Sequence, residues 1–455
     1  MLNVWELRSD IALLVDQYEL TMLQAYWAEG MNERAVFSLF VRRLPEQRNV
    51  LLACGLDTAL GFLESFRFSD EARAHLVGTG TFDPAFVDSL ESFGFTGDVW
   101  AVPEGTPVFA EEPLIEVEAP LAEAQVVETL LMNLVHLETV LASKAVRVRA
   151  AAGERTLVDF GLRRMHGVDA GLRAARAFHA AGVDGTSNVL AGKVFGVPVT
   201  GTMAHSYIQA HDDEMEAFRA FTRTFPDTVL LVDTYDTVEG VRKVVRLARE
   251  LDKAFRVRGI RLDSGDLATL AAEARAILDE AGLERVGIFA SGGLDEWAVR
   301  DLVQGGAPID GFGVGTGMGV SKDAPSLDFA YKLTEYAGKG RLKLSSGKRT
   351  LPGRKQVFRQ VDKHGHAVRD VIGRHDEALE GRPLLRKVMA EGVRTTAGKE
   401  SLDEVRQRAR RELERMPDRV RALEPADPAY EVVISERLER FAEQVGDEVS
   451  ARRTT

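Results

Sequence analysis

The segment from Arg258 to Gly293, "RGIRLDSGDLATLAAEARAILDEAGLERVGIFASGG", is the one on which the fold turns. It opens on a short β-rich run, passes through an amphipathic stretch, "LATLAAEARAILDEAGL", and returns to a second β-rich run, "VGIFASGG". A strand, a helix and a strand in that order make a right-handed crossover and lay the two strands parallel. The alternation continues on both sides: "TLVDFG", "VPVTGTMAHS", "TVLLVDTYDT" and "IDGFGVGTG" read as further strands, with "VEGVRKVVRLARELDKAF" among the helices between them. The expected class is α/β, with a parallel sheet either open or closed into a barrel. Every strand ends in polar or glycine residues: Arg163 and Arg164, His205 and Ser206, Asp233 and Asp236, Asp263 and Asp266, Ser291 to Gly293, and Gly313 to Gly319. The loops at the carboxyl ends of barrel strands build the active site, so these clusters are expected at one mouth.

At 455 residues the chain exceeds the size at which a single core keeps growing, and two or more domains are expected. A composition of 45% hydrophobic and 28% charged residues is that of a globular protein. With 58 basic against 70 acidic side chains, the net charge of -12 opposes wholesale binding to nucleic acid or to an anionic membrane. An anionic ligand must therefore meet a local basic site. The single cysteine, Cys54, can form neither an intrachain disulfide nor a thiolate metal cluster. No run reads as a membrane span, and "MLNVWELRSDIALLVDQYELTM" lacks the basic start and small-residue cleavage site of a signal peptide, so a cytoplasmic protein is the default expectation.

Three segments are expected: an N-terminal α+β domain over 1–120, an α/β barrel over 121–335, and a C-terminal segment over 336–455 that partly packs with the N-terminal domain. The barrel segment starts with a long helix from about Leu121 to Ala150, marked by Val126, Leu130, Leu134, Leu137 and Leu141. Before it, "AVPEGTPVFAEEPLIEVEAP" reads as extended chain broken by prolines. After the barrel come a hairpin-like basic stretch, "GKGRLKLSSGKRTLPGRKQVFR", and charge-dense helical sequence such as "SLDEVRQRARRELERM".

His205 and His211 stand six residues apart in "VTGTMAHSYIQAHDDEMEAF", where two imidazoles on one helix face would need the spacing H-x-x-x-H to share an ion. His205 is therefore an acid, a base, a nucleophile or a packed residue, and no residue is assigned as a metal ligand. "GFGVGTGMGV" brings successive backbone N–H groups close to a phosphate without Cβ interference, at the position late barrel strands use for phosphate. "FASGGLDE" adds a second glycine pair one strand earlier, so two adjacent loops are expected to hold one phosphate. In "RGIRLDSGDL", Arg261, Asp263 and Asp266 are either a structural ion pair or ligands, the acids for ribose hydroxyls or Mg²⁺ and the arginine for a carboxylate or a ring. "DFGLRR" is open in the same way, with Phe160 in the core or in a site and Arg163 at the surface or on a ligand.

Taken together, "DQYELTM", "DFGLRR", "GTSNVLAG", "GTMAHS", "RLDSGDL", "GVGT" and "PGRKQV", in this order, resemble the nicotinate phosphoribosyltransferases, within the type II phosphoribosyltransferases. The resemblance implies an irregular, incomplete α/β barrel with a second domain assembled from both chain ends. It implies transfer of a phosphoribosyl group from phosphoribosyl pyrophosphate to nicotinate, giving nicotinate mononucleotide and pyrophosphate in NAD salvage, with Mg²⁺ present and ATP hydrolysis driving the reaction through phosphorylation of His205. Asp263 joins His205 as a catalytic residue. Nicotinate is expected at Tyr18, Phe160, Arg163, Ser187, Thr202 and Arg261, with Tyr18 supplied by the second subunit of a homodimer with shared sites. The phosphoribosyl and phosphate groups are expected at Gly292, Gly293, Gly315, Thr316 and Gly317. Related nicotinamide enzymes carry an aspartate where this chain has Ser187, and a carboxylate there would repel nicotinate. Nicotinamide or quinolinate phosphoribosyltransferases, and a non-catalytic nucleotide-binding barrel, are the rival readings.

Overall fold

The computed structural model describes residues 7–344 and 350–451. The chain divides into two compact units, one made of residues 1–140 and 326–455 and the other of residues 141–325.

The central unit carries six parallel strands: β1 (Thr156–Asp159), β2 (Gly185–Thr186), β3 (Val229–Leu231), β4 (Gly259–Leu262), β5 (Gly287–Ser291) and β6 (Gly311–Val314). Their order across the sheet is β2-β1-β6-β5-β4-β3. Each strand except β2 thus neighbours the next in sequence, and the last lies beside the first, which is the connectivity of a barrel left open along one seam. The seam falls between β2 and β3. There "VPVTGTMAHS", expected to be a strand, makes only one bridge among the described residues, Val199 to Thr186. Pro198 has no N–H to donate, and β2 is only two residues long, so the ladder has nothing to extend along. The result is an incomplete α/β barrel.

The crossover helices on the far side of the seam begin alike. Asp236 accepts from Glu239 N (2.8 Å) to cap Thr237–Leu251, Asp266 accepts from Ala268 N and Thr269 N (3.2 and 3.3 Å) to cap Leu267–Glu280, and Asp295 accepts from Trp297 N and Ala298 N (3.0 Å each) to cap Glu296–Gln304. These caps fix where each strand-end loop stops. Helix Thr237–Leu251 buries Val241, Val244, Val245 and Leu247 along one face and turns Glu239, Arg242, Arg246 and Arg249 elsewhere, as its 3.6-residue period requires.

The unit formed by the chain ends holds a seven-stranded antiparallel sheet, in which Arg34–Val41 lies between Phe329–Tyr336 and Pro113–Pro120. A four-stranded sheet is built from Lys355–Val361, Ala367–Arg374, Arg382–Pro383 and Glu431–Ile434. Because Phe329–Tyr336 pairs with Ala35–Val41, the later edge of the central unit falls after residue 325 rather than at the expected 335; the earlier edge falls after residue 140 rather than at 120. The basic stretch read as one hairpin is divided: Lys339–Gly340 turns back on Glu335–Tyr336, Lys355–Val361 joins the four-stranded sheet, and residues 345–349 of that stretch lie outside the described residues. Helix Leu402–Glu414 starts on a full capping box between Ser401 and Glu404.

The long helix expected from Leu121 is two, Leu121–Val126 and Glu128–Ala152, with a turn at Val127. The run Leu121–Ala152 is also long and apolar enough to cross a membrane, contrary to the reading that no such run exists. Two thirds of its most apolar window is buried inside the protein, with Glu138, Lys144 and Arg147 engaged along its length, which is how a core helix passes that test.

Candidate functional site

A cavity of about 580 Å³ occupies the inside of the incomplete barrel, lined by Phe160, Thr202, Phe221, Arg261, Phe289 and Gly313 among others. Its shape is set by alternation along β6. A Cβ on Gly311 would lie 2.6 Å from the Phe289 ring, and one on Gly313 would lie 2.4 Å from the Phe160 ring. The two glycines leave space for two aromatic faces that point inward.

Arg261, on β4, stands over the Phe160 ring with Cζ 5.8 Å from the centroid, inside the range of a cation–π contact. Its Nη2 donates to Met203 O (2.9 Å), while Nε is buried without a hydrogen-bond partner among the described residues. Burial lowers the pKa of this guanidinium, opposed by Asp263 and Asp233. A buried N–H with no acceptor costs on the order of 1–3 kcal/mol, so the arginine is poised for an anion in the cavity. Thr202 lines the same cavity, its Oγ1 3.4 Å from Met203 O.

Above β3, β4 and β5 lies a polar cluster. His205, at the start of the short helix His205–Gln209, has Nδ1 3.1 Å from Thr234 Oγ1 and Nε2 3.9 Å from Asp263 Oδ2. Both side chains are about two-fifths exposed, at 40% and 37%. The other oxygen of Asp263 accepts from Ser291 Oγ at 2.5 Å. Asp233 Oδ2 accepts from Asp263 N and Ser264 Oγ (2.8 Å each), and its Oδ1 is buried without a partner among the described residues. Asp266, by contrast, spends its carboxylate on the helix cap and on Thr269 Oγ1 (2.7 Å), which removes it from the ligand reading. His211 is turned to Tyr207 O (2.9 Å) and takes no part.

The two glycine loops meet. Gly292 has φ +94°, and a Cβ there would sit 1.8 Å from Asp263 O; Gly293 has φ +65°. Both glycines are required by the backbone, and Gly292 also by the close approach of the β4 loop. In the β6 loop, a Cβ on Gly317 would come within 2.9 Å of Leu294 O, and a Cβ on Gly315 within 3.3 Å of Phe160 O. Thr316 is exposed, and its Oγ1 accepts from Arg164 Nη1 (3.3 Å).

The structure therefore gathers Phe160, Thr202 and Arg261 in one cavity, brings His205 to Asp263, and packs the loop of Gly315, Thr316 and Gly317 against Leu294 and Asp295, next after Gly292 and Gly293. Arg163 is exposed on the loop after β1, close enough to oppose the charge of Arg261. Ser187 donates its N–H to Asp159 O (2.9 Å) at the end of β2. Tyr18 belongs to the unit of the chain ends, where it is 47% exposed and hydrogen-bonded to Glu128, with burial and the surrounding carboxylates raising its pKa. Sequence reasoning gave no role to Asp233, Thr234, Ser291 or Arg164, although all but Thr234 stood among the polar strand ends.

Known proteins resemble this chain over most of its length. The model of the nicotinate phosphoribosyltransferase (NAPRTase) N-terminal domain matches residues 13–136, and that of the NAPRTase family matches residues 155–366. Nicotinate phosphoribosyltransferase pncB2 of Mycobacterium tuberculosis is 51% identical over 94% of this chain and 92% of its own length. Human nicotinic acid phosphoribosyltransferase superposes with a TM-score of 0.85 at 31% identity, over 94% of this chain and 99% of that one. Nicotinate-nucleotide pyrophosphorylase from Pyrococcus furiosus gives a TM-score of 0.74 at 26% identity, over 91% of this chain and 97% of that one. The seamed barrel, the arginine over an aromatic face and the facing glycine loops are thus found in a chain that belongs to the nicotinate phosphoribosyltransferase family.

Proposed function

We propose that this protein transfers the phosphoribosyl group of phosphoribosyl pyrophosphate to nicotinate and couples the reaction to ATP through His205. The observation that carries the substrate assignment is Arg261, a guanidinium with an unpartnered Nε above Phe160, which suits a flat ring bearing one carboxylate. Thr202 lies within the same cavity to donate a further hydrogen bond. The pyridine nitrogen attacks C1 of the ribose as the C1–O bond to pyrophosphate breaks, so the ring takes on positive charge beside the cavity's aromatic walls. Gly292, Gly293, Gly315 and Gly317 present backbone to the donor's phosphate, and Thr316 and Arg164 stand at the same loop.

The donor set next to the loops fits Mg²⁺. Asp233 and Asp263 offer hard carboxylate oxygens, and Asp233 Oδ1 has no partner among the described residues. Bound there, Mg²⁺ would neutralise the departing pyrophosphate. His205 takes the γ-phosphoryl group of ATP on a ring nitrogen, ADP leaves, and water later cleaves the P–N bond. Asp263, 3.9 Å from its Nε2, and Thr234 hold the imidazole in place. The same reading implies a cytoplasmic enzyme acting as a homodimer, in which Tyr18 of one subunit serves the site of the other.

The test is ATP hydrolysis by the purified protein, with nicotinate, nicotinamide or quinolinate as acceptor. Stimulation by phosphoribosyl pyrophosphate together with nicotinate, with equimolar nicotinate mononucleotide formed, is expected. Equal turnover of nicotinamide, carbon dioxide release from quinolinate, or binding without turnover would each replace this reading with the corresponding rival.

A further inference from the structure

Lys144 is a fully buried lysine that the proposed reaction does not use. It lies on helix Glu128–Ala152 at 1% exposure, and its ammonium pairs with two carboxylates from different parts of the site. One is Glu296, the first residue of the helix that follows the Gly292–Gly293 loop; the other is Asp323 (2.6 Å), just beyond the Gly315–Gly319 loop. Glu296 is itself completely buried and also accepts from Arg147 Nε (3.0 Å), one turn along the same helix from Lys144. The β6 loop is closed over this tie, with Lys322 N bonded to Gly317 O (3.2 Å) and Gly317 packed on the backbone at Leu294. One ammonium thus joins the ends of both glycine loops where the loops themselves touch.

We propose that Lys144 is a positioning residue for the phosphoribosyl donor: by bridging Glu296 and Asp323 it fixes the spacing of the two glycine loops, and so the cradle for the donor's phosphate. The inference rests on the assignment of that phosphate to the glycine loops. A buried ion pair of this kind is a poor source of net stability, because desolvation offsets the attraction, but it holds geometry that an apolar contact would let slide. Small displacements of a binding group are costly: a shift near 1 Å can cost about a hundredfold in rate.

The experiment compares Lys144→Met, Asp323→Asn and Thr316→Val in the full chain, by steady-state kinetics with each substrate varied and by thermal melting. Lys144→Met is expected to raise the KM for phosphoribosyl pyrophosphate about tenfold, with the nicotinate KM within twofold of the parent. Asp323→Asn gives a test of sign and stands in if Lys144→Met does not fold. It removes a negative charge near an anionic ligand, so a purely electrostatic role for the cluster lowers the donor KM, whereas a positioning role raises it. A lowered or unchanged donor KM in Asp323→Asn, with or without a fall in melting temperature, overturns the proposal and leaves the cluster structural. Thr316→Val separates the two levels. If it raises the donor KM while Asp323→Asn does not, only the role of Lys144 fails; if neither moves it, the phosphate is not on these loops and the underlying reading fails too.

Discussion

Replacing Arg261 by alanine tests the substrate assignment most directly, because the structure separates what the side chain does for the fold from what is left for a ligand. Its Nη2 supports Met203 O, and its Nε has no partner among the described residues. A hydrogen bond to a charged group contributes roughly 1.5–3 kcal/mol. At about 1.4 kcal/mol per factor of ten, Arg261→Ala should lower kcat/KM for nicotinate roughly 10- to 150-fold. The upper end applies if both faces of the carboxylate interaction are lost. Nicotinamide has no carboxylate to pair, so its kcat/KM should fall far less and the acid-to-amide preference should collapse by a similar factor. Arg261→Lys keeps the charge but not the planar fork, and should recover only part of the loss. Initial rates with each acceptor at saturating donor, alongside a melting curve to account for Met203 O, decide the matter. A folded Arg261→Ala protein that handles nicotinate within threefold of the parent, or that loses nicotinate and nicotinamide equally, would refute the placement of the carboxylate.

His205→Ala should abolish the acid-labile phosphoenzyme formed with labelled ATP while leaving the melting temperature nearly unchanged, because the side chain is 40% exposed; label persisting on the variant would move the nucleophile elsewhere. Glu19, buried with Oε1 accepting from Thr129 N and Oγ1 and with Oε2 unpartnered among the described residues, has its pKa pushed up to about 7 by burial. The folded chain then keeps a proton that the unfolded chain has released between the ordinary value near 4.5 and 7, so this group makes stability fall as pH rises through that window; melting from pH 5 to 8 should be flatter for Glu19→Gln, and an unchanged slope would remove Glu19 as a cause. Co-expressed Tyr18→Ala and His205→Ala subunits should form a hybrid dimer with one intact site and regain ATP-coupled activity that neither parent dimer shows, whereas an inactive purified hybrid would end the shared-site proposal.

The parallel sheet was legible because its strands are short apolar runs that end in polar residues and are spaced by amphipathic helices. The seam was not. "VPVTG" has the composition of a strand, but a strand needs a partner along its length, and the brevity of β2 is a tertiary fact. Domain edges were displaced for a similar reason, since Phe329–Tyr336 follows the barrel in sequence yet pairs with Arg34–Val41, a choice set by distant residues. Among the site residues, the difference between Asp263 and Asp266 turned on capping. Asp266 directly precedes "LATLAAEA", the N-cap position of an apolar-periodic helix, so its fate was readable in advance. Lys144 also left a signal: it continues the stripe of Leu137 and Leu141 towards Val148, where a lysine on an apolar face demands a buried partner.

The glycines of "GFGVGTGMG" serve more than the phosphate loop for which the sequence reading proposed them. As a phosphate loop the string has one purpose, but on the structure it has two. Gly311 and Gly313 lie on β6 with alternate residues facing inward, and their missing side chains admit the rings of Phe289 and Phe160. Gly315 and Gly317 lie beyond the strand and allow backbone to approach backbone. In the proposed reaction, the acceptor's aromatic wall and the donor's phosphate cradle are therefore consecutive parts of one nine-residue segment. A further consequence follows at the neighbouring strand. Asp159, at the end of β1 beside this segment, is a buried carboxylate that could in principle compete with a substrate acid, yet its Oδ1 accepts from Gly161 N (2.7 Å) and its Oδ2 from Thr186 Oγ1 (2.8 Å). Burial raises its pKa despite those bonds, which disfavours a free negative charge there. With Ser187 uncharged and Asp159 committed to the backbone and Thr186, neither of these two positions offers a free carboxylate to an acceptor, which is the electrostatic condition that nicotinate, rather than its amide, requires.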